Sequence, residues 1–150
     1  MTYKHTQIGY LFIVALIIPL LILLLWGIVY EFTPTVFALL IGLLLSLILF
    51  PSLTIEIDKT KLAIRFGLGI IGKNFSLEDI RSCRVVRNPW YYGWRISLTP
   101  HGWLYNISGL SSVEILMKNG KKYRLGTDEP DRLRSAIKHM IKESKWPADS

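Results

Sequence analysis

Three histidines, one cysteine and eleven carboxylates are the side chains of this 150-residue chain best suited to covalent, acid–base or metal chemistry. Their spacing argues against all three. His5 lies near the start, His101 sits between Pro100 and Gly102 in a turn pattern, and His139 falls in a helical pattern. No HExxH, GxSxG or paired-carboxylate arrangement occurs. A single thiol cannot staple a fold or build a zinc site. Cys83 stands in a strand pattern as a packed small residue, although Arg81, Arg84 and Arg87 would lower its pKa if it were exposed. The expectation is therefore a chain with no catalytic residues, no metal and no cofactor.

Gly67-Leu68-Gly69-Ile70-Ile71-Gly72 matches the dinucleotide fingerprint GxGxxG and follows a strand pattern. The fingerprint needs a helix after it and an acidic residue about 20 positions on. Here Lys73-Asn74-Phe75-Ser76 continues as strand and the corresponding position is Arg87, so the motif reads as a glycine-rich hairpin turn. Asn88-Pro89-Trp90-Tyr91-Tyr92-Gly93-Trp94 is the most unusual local composition. Some of these rings are expected in the core, and Trp90, Tyr91, Tyr92 and Trp94 are the candidates for a contact surface, where Trp and Tyr are over-represented.

The elements that position these residues follow from charge. Residues 1–50 carry only Lys4 and Glu31, whereas 51–150 carry 17 basic and 10 acidic side chains, so the whole net charge of +7 lies in the second segment. That division excludes a soluble two-domain enzyme and a polytopic transporter, and it predicts a two-helix membrane anchor (1–52) followed by one polar domain (53–146) and a disordered tail (147–150). Ile8 to Tyr30 is a run of 23 residues without charge, about 35 Å as a helix and enough to span a bilayer. A second run, Pro34 to about Leu53, approaches the same length. Thr33 is placed to cap it with Pro34 as its first residue, which makes the pair a tight hairpin. Pro19 interrupts the first run, which a bilayer helix tolerates, and Tyr10, Trp26, Tyr30 and Phe32 suit the interfacial belt. Lys4 precedes the hairpin, Lys59, Lys61 and Arg65 follow it, and the connecting loop has no Lys or Arg. The positive-inside rule then puts both termini in the cytoplasm. A cleaved signal peptide is disfavoured by the long apolar run and by the second run behind it.

After Pro51 the period becomes two. Leu53, Ile55 and Ile57, then Leu62, Ile64 and Phe66 after the Lys59-Thr60 turn, give a hairpin with one buried face. Further strands fit at about Ile71 to Leu77, Ser82 to Arg87, Trp94 to Leu98, Trp103 to Ile107, Val113 to Met117 and Lys121 to Leu125, with turn residues between them. For the last hairpin, a two-residue Asn-Gly loop would mix the two faces. A three-residue loop, Lys118 to Gly120, pairs Ile115 with Tyr123, Val113 with Leu125 and Glu114 with Arg124, and is preferred. Thr127 or Asp128 can cap a closing helix whose apolar stripe is Leu133, Ala136, Ile137, Met140 and Ile141. Such a helix would plug the open end of a bent sheet or small barrel.

From about Leu53 to Lys142 the chain resembles the bacterial pleckstrin-homology-like family of the membrane-anchored kind. The matching stretches are Tyr92-Gly93-Trp94-Arg95-Ile96, Gly102-Trp103-Leu104-Tyr105-Asn106-Ile107-Ser108-Gly109, Val113-Glu114-Ile115 leading to Lys118-Asn119-Gly120-Lys121, and Arg124-Leu125-Gly126-Thr127-Asp128-Glu129-Pro130. The resemblance implies about seven antiparallel strands in two near-orthogonal sheets capped by a C-terminal helix, no catalysis, and residence in a bacterial cytoplasmic membrane. Eukaryotic relatives often bind phosphoinositides through basic residues on the first hairpin, of which Lys59, Lys61 and Arg65 are a faint echo. The Lys59-Thr60 turn, however, lies a six-residue strand, about 20 Å, from the bilayer. The opposite turn returns toward it, so Leu68, Ile70 and Ile71 are the candidates for the membrane interface. Attraction of the +7 domain to an anionic leaflet is expected, and nucleic acid is not. The expected role is protein–protein assembly at the membrane with a protein partner or a second copy. The alternatives are an anionic-lipid-sensing module and an accessory subunit of a membrane enzyme or transporter.

Overall fold

The computed structural model describes residues 3–92, 96–107 and 109–145. Its apolar part is a helical hairpin, α1 (Tyr10–Tyr30) and α2 (Pro34–Leu49). Helix α1 is long and apolar enough to cross a membrane, and Pro19 stays inside it without ending it. Thr33 caps α2 as expected, its Oγ1 accepting from the Val36 N–H with Pro34 at the first helical position. Helix α2 stops short of the expected Leu53 because Pro51 disfavours helical backbone at Phe50. The two helices bury almost nothing against protein: Gly27, beneath the Phe32 ring, and Val36 are their buried residues.

The polar part is a mostly β domain of two sheets closed by a C-terminal helix. One sheet has the order β1-β2-β3-β4, formed by Tyr3–Ile8, Ser52–Ile57, Lys61–Phe66 and Ile71–Ser76. The other has the order β5-β8-β9-β7-β6, formed by Ile80–Arg87 (β5), Ile96–Thr99 (β6), Gly102–Tyr105 (β7), Ser111–Met117 (β8) and Lys122–Gly126 (β9). Three features depart from the sequence reading. Tyr3–Ile8, expected as the flank of the anchor, is a strand that pairs with β2, Tyr3 opposite Ile57 and Ile8 opposite Ser52. The helical hairpin is thus inserted between two neighbouring strands of one sheet. The described residues form nine strands rather than about seven. The pairing is also not wholly antiparallel: β9 inserts between β8 and β7 and runs parallel to β7, Trp103 opposite Tyr123.

The last hairpin has the preferred register, with Ile115 opposite Tyr123, Glu114 opposite Arg124 and Val113 opposite Leu125. Gly120 takes φ +87°, the left-handed position that such a bulge requires. On β5 a bulge between Ile80 and Ser82 resets the pleat so that Cys83 faces inward opposite Ile115. The core joins Leu53, Ile55, Ile57, Leu62, Ile64 and Phe66 from one sheet with Cys83, Tyr105, Val113, Ile115, Tyr123 and Leu125 from the other. Helix α3 (Pro130–Lys145) completes it with Leu133, Ile137 and Met140 buried and Ala136 and Ile141 packed against them. Thr127 turns the chain into α3, its Oγ1 accepting from the Glu129 N–H. Burial of this stripe is what holds α3, since its exposed face is strongly polar. The expected 147–150 tail lies outside the described residues.

Candidate functional site

Strand direction gives the β domain two ends. β1 leaves into α1 through Gly9, α2 returns into β2 through Pro51, and the Gly9 N–H donates to the Pro51 carbonyl at 3.0 Å. The turn between β3 and β4 lies at this same end. Gly67 donates to Ser52 O, and its α-carbon abuts the last turn of α2, where an added Cβ would sit 2.6 Å from Leu49 O. The tip beyond it does not fold onto the core: Leu68 is 75% and Ile70 72% exposed. Ile71 differs, being half-buried against the core. Two of the three interface candidates therefore project beside the helical hairpin, and the third is a packing residue.

The basic candidates do not converge. Lys59, Lys61 and Arg65 are all exposed. The Lys59-Thr60 turn is at the end away from the helices, while Arg65, opposite Gly72, lies four residues further along β3, about 13 Å. They form no pocket.

The aromatic candidates stand on a buried polar network outside the second sheet. Glu114 and Arg124 lie directly opposite each other and are only 4% and 5% exposed. Arg124 Nε donates to Glu114 Oε2 at 2.9 Å and its Nη1 to Asn88 Oδ1 at 3.0 Å, while Asn88 Nδ2 donates to Ser112 Oγ at 2.6 Å. Exposed Arg84 bonds the other carboxylate oxygen at 2.9 Å. Burial pushes the Glu114 carboxyl up, but the hydrogen bonds from Arg124 and Arg84 outweigh it and hold the group below its ordinary value. Asn88 fixes the start of the segment whose next residues form a short 3-10 turn, Trp90–Tyr92. Trp90 is 79% exposed, Tyr91 is exposed and Tyr92 is half-buried with its ring 6.4 Å from that of His101. Trp90, Tyr91 and Tyr92 form an edge-to-face chain. The fourth candidate, Trp94, lies outside the described residues. Trp90 and Tyr91 thus present exposed aromatic surface of the kind enriched at contacts.

Cys83 is buried, and its Sγ faces the Arg134 carbonyl at 3.8 Å. Burial raises its pKa, with Lys138 and Arg134 offsetting only part of that, so the thiol is kept protonated. Arg81 and Arg87 are exposed and Arg84 is turned onto Glu114, so the cations acting on the thiol are Lys138 and Arg134 instead. Cys83 should resist a maleimide in the folded protein and react at the rate of a free thiol once denaturant is added; equal rates in both states would contradict the burial. Among the described residues no group of three or more His, Cys, Asp and Glu side chains is placed to hold a metal ion.

Two groupings were not flagged by sequence reasoning. Strand β1 is tied to the start of α3: His5 Nε2 lies 2.6 Å from Asp128 Oδ1, and the Tyr3 hydroxyl donates to Glu129 Oε2 at 3.3 Å. Burial and the Glu129 carboxylate push the Tyr3 phenol up to about 12. Tyr3, His5 and Glu129 border a groove of about 750 Å³ between β1 and α3. The second grouping surrounds Lys73, whose ammonium donates to the Tyr123 hydroxyl at 3.3 Å and lies 4.4 Å from that ring's centre. The only available signal was a lysine at an inward position of the β4 pattern. No protein-family model matches the chain, and no curated protein sequence matches it.

Proposed function

We propose that the chain is a non-enzymatic membrane protein in which both helices span the bilayer, and that it presents a pleckstrin-homology-like domain at the cytoplasmic face for assembly with a protein partner. The observation that carries this reading is the insertion of the hairpin between adjacent strands β1 and β2 with no linker on either side. A domain joined through two neighbouring strands cannot swing on a tether, so its faces keep a constant orientation to the hairpin. The apolar surface that α1 and α2 leave exposed on nearly every side suits hydrocarbon and not water. Leu68 and Ile70 then meet the interface beside α2. Two sheets sharing one core and closed by α3 support the resemblance to the family. Trp90 and Tyr91 supply aromatic anchors facing away from the core for the partner.

A periplasmic reporter enzyme fused at the C-terminus should be inactive, and activity there would overturn the topology. Crosslinking in intact cells through a photoreactive residue at position 91 should trap a discrete protein adduct, of a partner or of a second copy. Adducts to lipid alone would remove the assembly role. For the tip, a cysteine at position 68 should be protected from an aqueous thiol reagent in membranes, and Ile70→Asp should raise its labelling rate about tenfold by lifting the turn. An unchanged rate would show that the tip does not touch the interface.

A further inference from the structure

Strand β4 ends its sheet, and among the described residues no strand pairs with its outer side. The phase of its free main-chain groups follows from one hydrogen bond. The Leu77 N–H donates to the Thr60 carbonyl at 3.0 Å, continuing the register in which Ser76 lies opposite Lys61. In an antiparallel ladder such hydrogen-bonded pairs fall on every second residue. The main chain of Ile71, Lys73 and Phe75 therefore bonds to β3, while Gly72, Asn74 and Ser76 turn their N–H and C=O groups to the open edge.

The side chains of the first three face inward: Phe75 is buried and Ile71 packs against the core. Lys73 is the exception in this row. It is half-buried, its ammonium donates to the Tyr123 hydroxyl at 3.3 Å and lies 4.4 Å from that ring's centre. Among the described residues no carboxylate forms an ion pair with it. Beyond Tyr123 the same inner face carries Trp103 of β7, directly opposite Tyr123, and Leu98 of β6, directly opposite Trp103. Both large apolar side chains lack cover, Trp103 being 43% and Leu98 69% exposed. Since β6 is the last strand of its sheet, the row Lys73, Tyr123, Trp103, Leu98 lines an opening between two free edges.

We propose that this opening receives an extended acidic segment of a partner protein, which pairs antiparallel with β4, sets a carboxylate side chain opposite Lys73 and turns apolar side chains on the same face toward Trp103 and Leu98. The alternating N–H and C=O groups of the β4 edge specify another polypeptide strand. Lys73 would stand at a non-hydrogen-bonded position of the new pair, where facing side chains approach most closely, so a cation without a counterion selects a carboxylate there. Uncovered Leu98 and Trp103 select large apolar neighbours two residues from it. The inference rests on the reading of the domain as an assembly module but uses neither Trp90 nor Tyr91, so the crosslink at position 91 and the test below can fail separately.

The test follows the fluorescence anisotropy of a labelled heptapeptide, threonine alternating with isoleucine, glutamate and isoleucine, added to the full chain in phosphatidylcholine nanodiscs. This peptide should bind, and its counterpart with lysine in place of glutamate should bind about tenfold more weakly. Lys73→Glu should reverse the preference, which a merely structural role for Lys73 would not do. Asn74→Pro removes a donor from the free edge and leaves the bonds to β3 intact, so that protein should melt as the wild type does and lose the peptide. Equal binding of the two peptides by the wild type, binding of neither, or an unreversed preference in Lys73→Glu would overturn the proposal. So would an Asn74→Pro protein that still binds. A crosslink between two copies through a photoreactive residue at position 74 would overturn it as well, by making the occupant a second copy. A discrete protein adduct at position 91 alongside any of these failures would leave the assembly reading standing.

Discussion

Arg124→Met is expected to destabilise the β domain by about 3–5 kcal/mol, the usual cost of stripping one partner from a buried ion pair. Glu114 would keep its buried position with only solvent-exposed Arg84 as counterion, and Asn88 Oδ1 would lose its donor. Equilibrium unfolding of the full chain in detergent measures the loss, and a cost below about 1 kcal/mol would mean that the pair is not buried as described. Glu114→Leu combined with Arg124→Met should recover most of the stability, because two apolar groups leave no orphaned charge. The single variant should also shift tryptophan emission, since Asn88 sets the start of the Trp90–Tyr92 turn. The pH dependence has a definite sign. The folded-state pKa of Glu114 is lowered, so its contribution is fully present above the unfolded carboxylate value, about 4.3, and is lost as pH falls through the lower folded value. Acid unfolding of the wild type should therefore steepen as pH falls from about 4.3 through the lower folded value, and the double variant should lack this component.

What the sequence disclosed and what it concealed separate along a physical line. Local signals were readable: Thr33-Pro34 starts α2, Gly120 fixes the register of the last hairpin, and the stripe from Leu133 to Met140 predicts a covering helix. Each depends on residues within one turn or one helix. Strand β1 was concealed because its inward positions, Tyr3, His5 and Gln7, are polar and give no apolar alternation, and because its partner lies beyond the entire hairpin. The Glu114–Arg124 pairing followed from register, but its burial did not, since the cover comes from a segment outside the sheet. Lys73 shows the same limit. Its segment reads only as strand, and nothing local indicates that a cation there meets Tyr123 from the other sheet. The candidate surfaces were legible as composition, while the groups around them are products of tertiary contact.

The glycine turn between β3 and β4 separates backbone conformation from close approach, and the two should have different energies. Gly67 and Gly69 both have positive φ, +53° and +87°, a region that asparagine enters more readily than other side-chain-bearing residues. Asparagine thus removes most of the conformational penalty at either site and leaves the question of space. At Gly69 the nearest atom to an added Cβ is the Arg65 Cδ at 3.7 Å, an ordinary contact with a flexible side chain. At Gly67 the Cβ would meet Leu49 O at 2.6 Å and Ile48 O at 2.7 Å, both backbone atoms at the end of α2. Neither carbonyl can yield without moving the helix. Gly69→Asn should therefore cost under about 1 kcal/mol, and Gly67→Asn about 2–3 kcal/mol, in the range of overpacking. The extra cost should appear where the β domain meets the hairpin. Hydrogen exchange at the Gly67 amide, bonded to Ser52 O, and at the Phe50 amide, bonded to Ser46 O, should accelerate in Gly67→Asn and not in Gly69→Asn. Equal stability and exchange in the two variants would mean that the turn does not bear on α2. The domain would then be held by β1 and β2 alone, and Leu68 and Ile70 would lose their set position beside the helix.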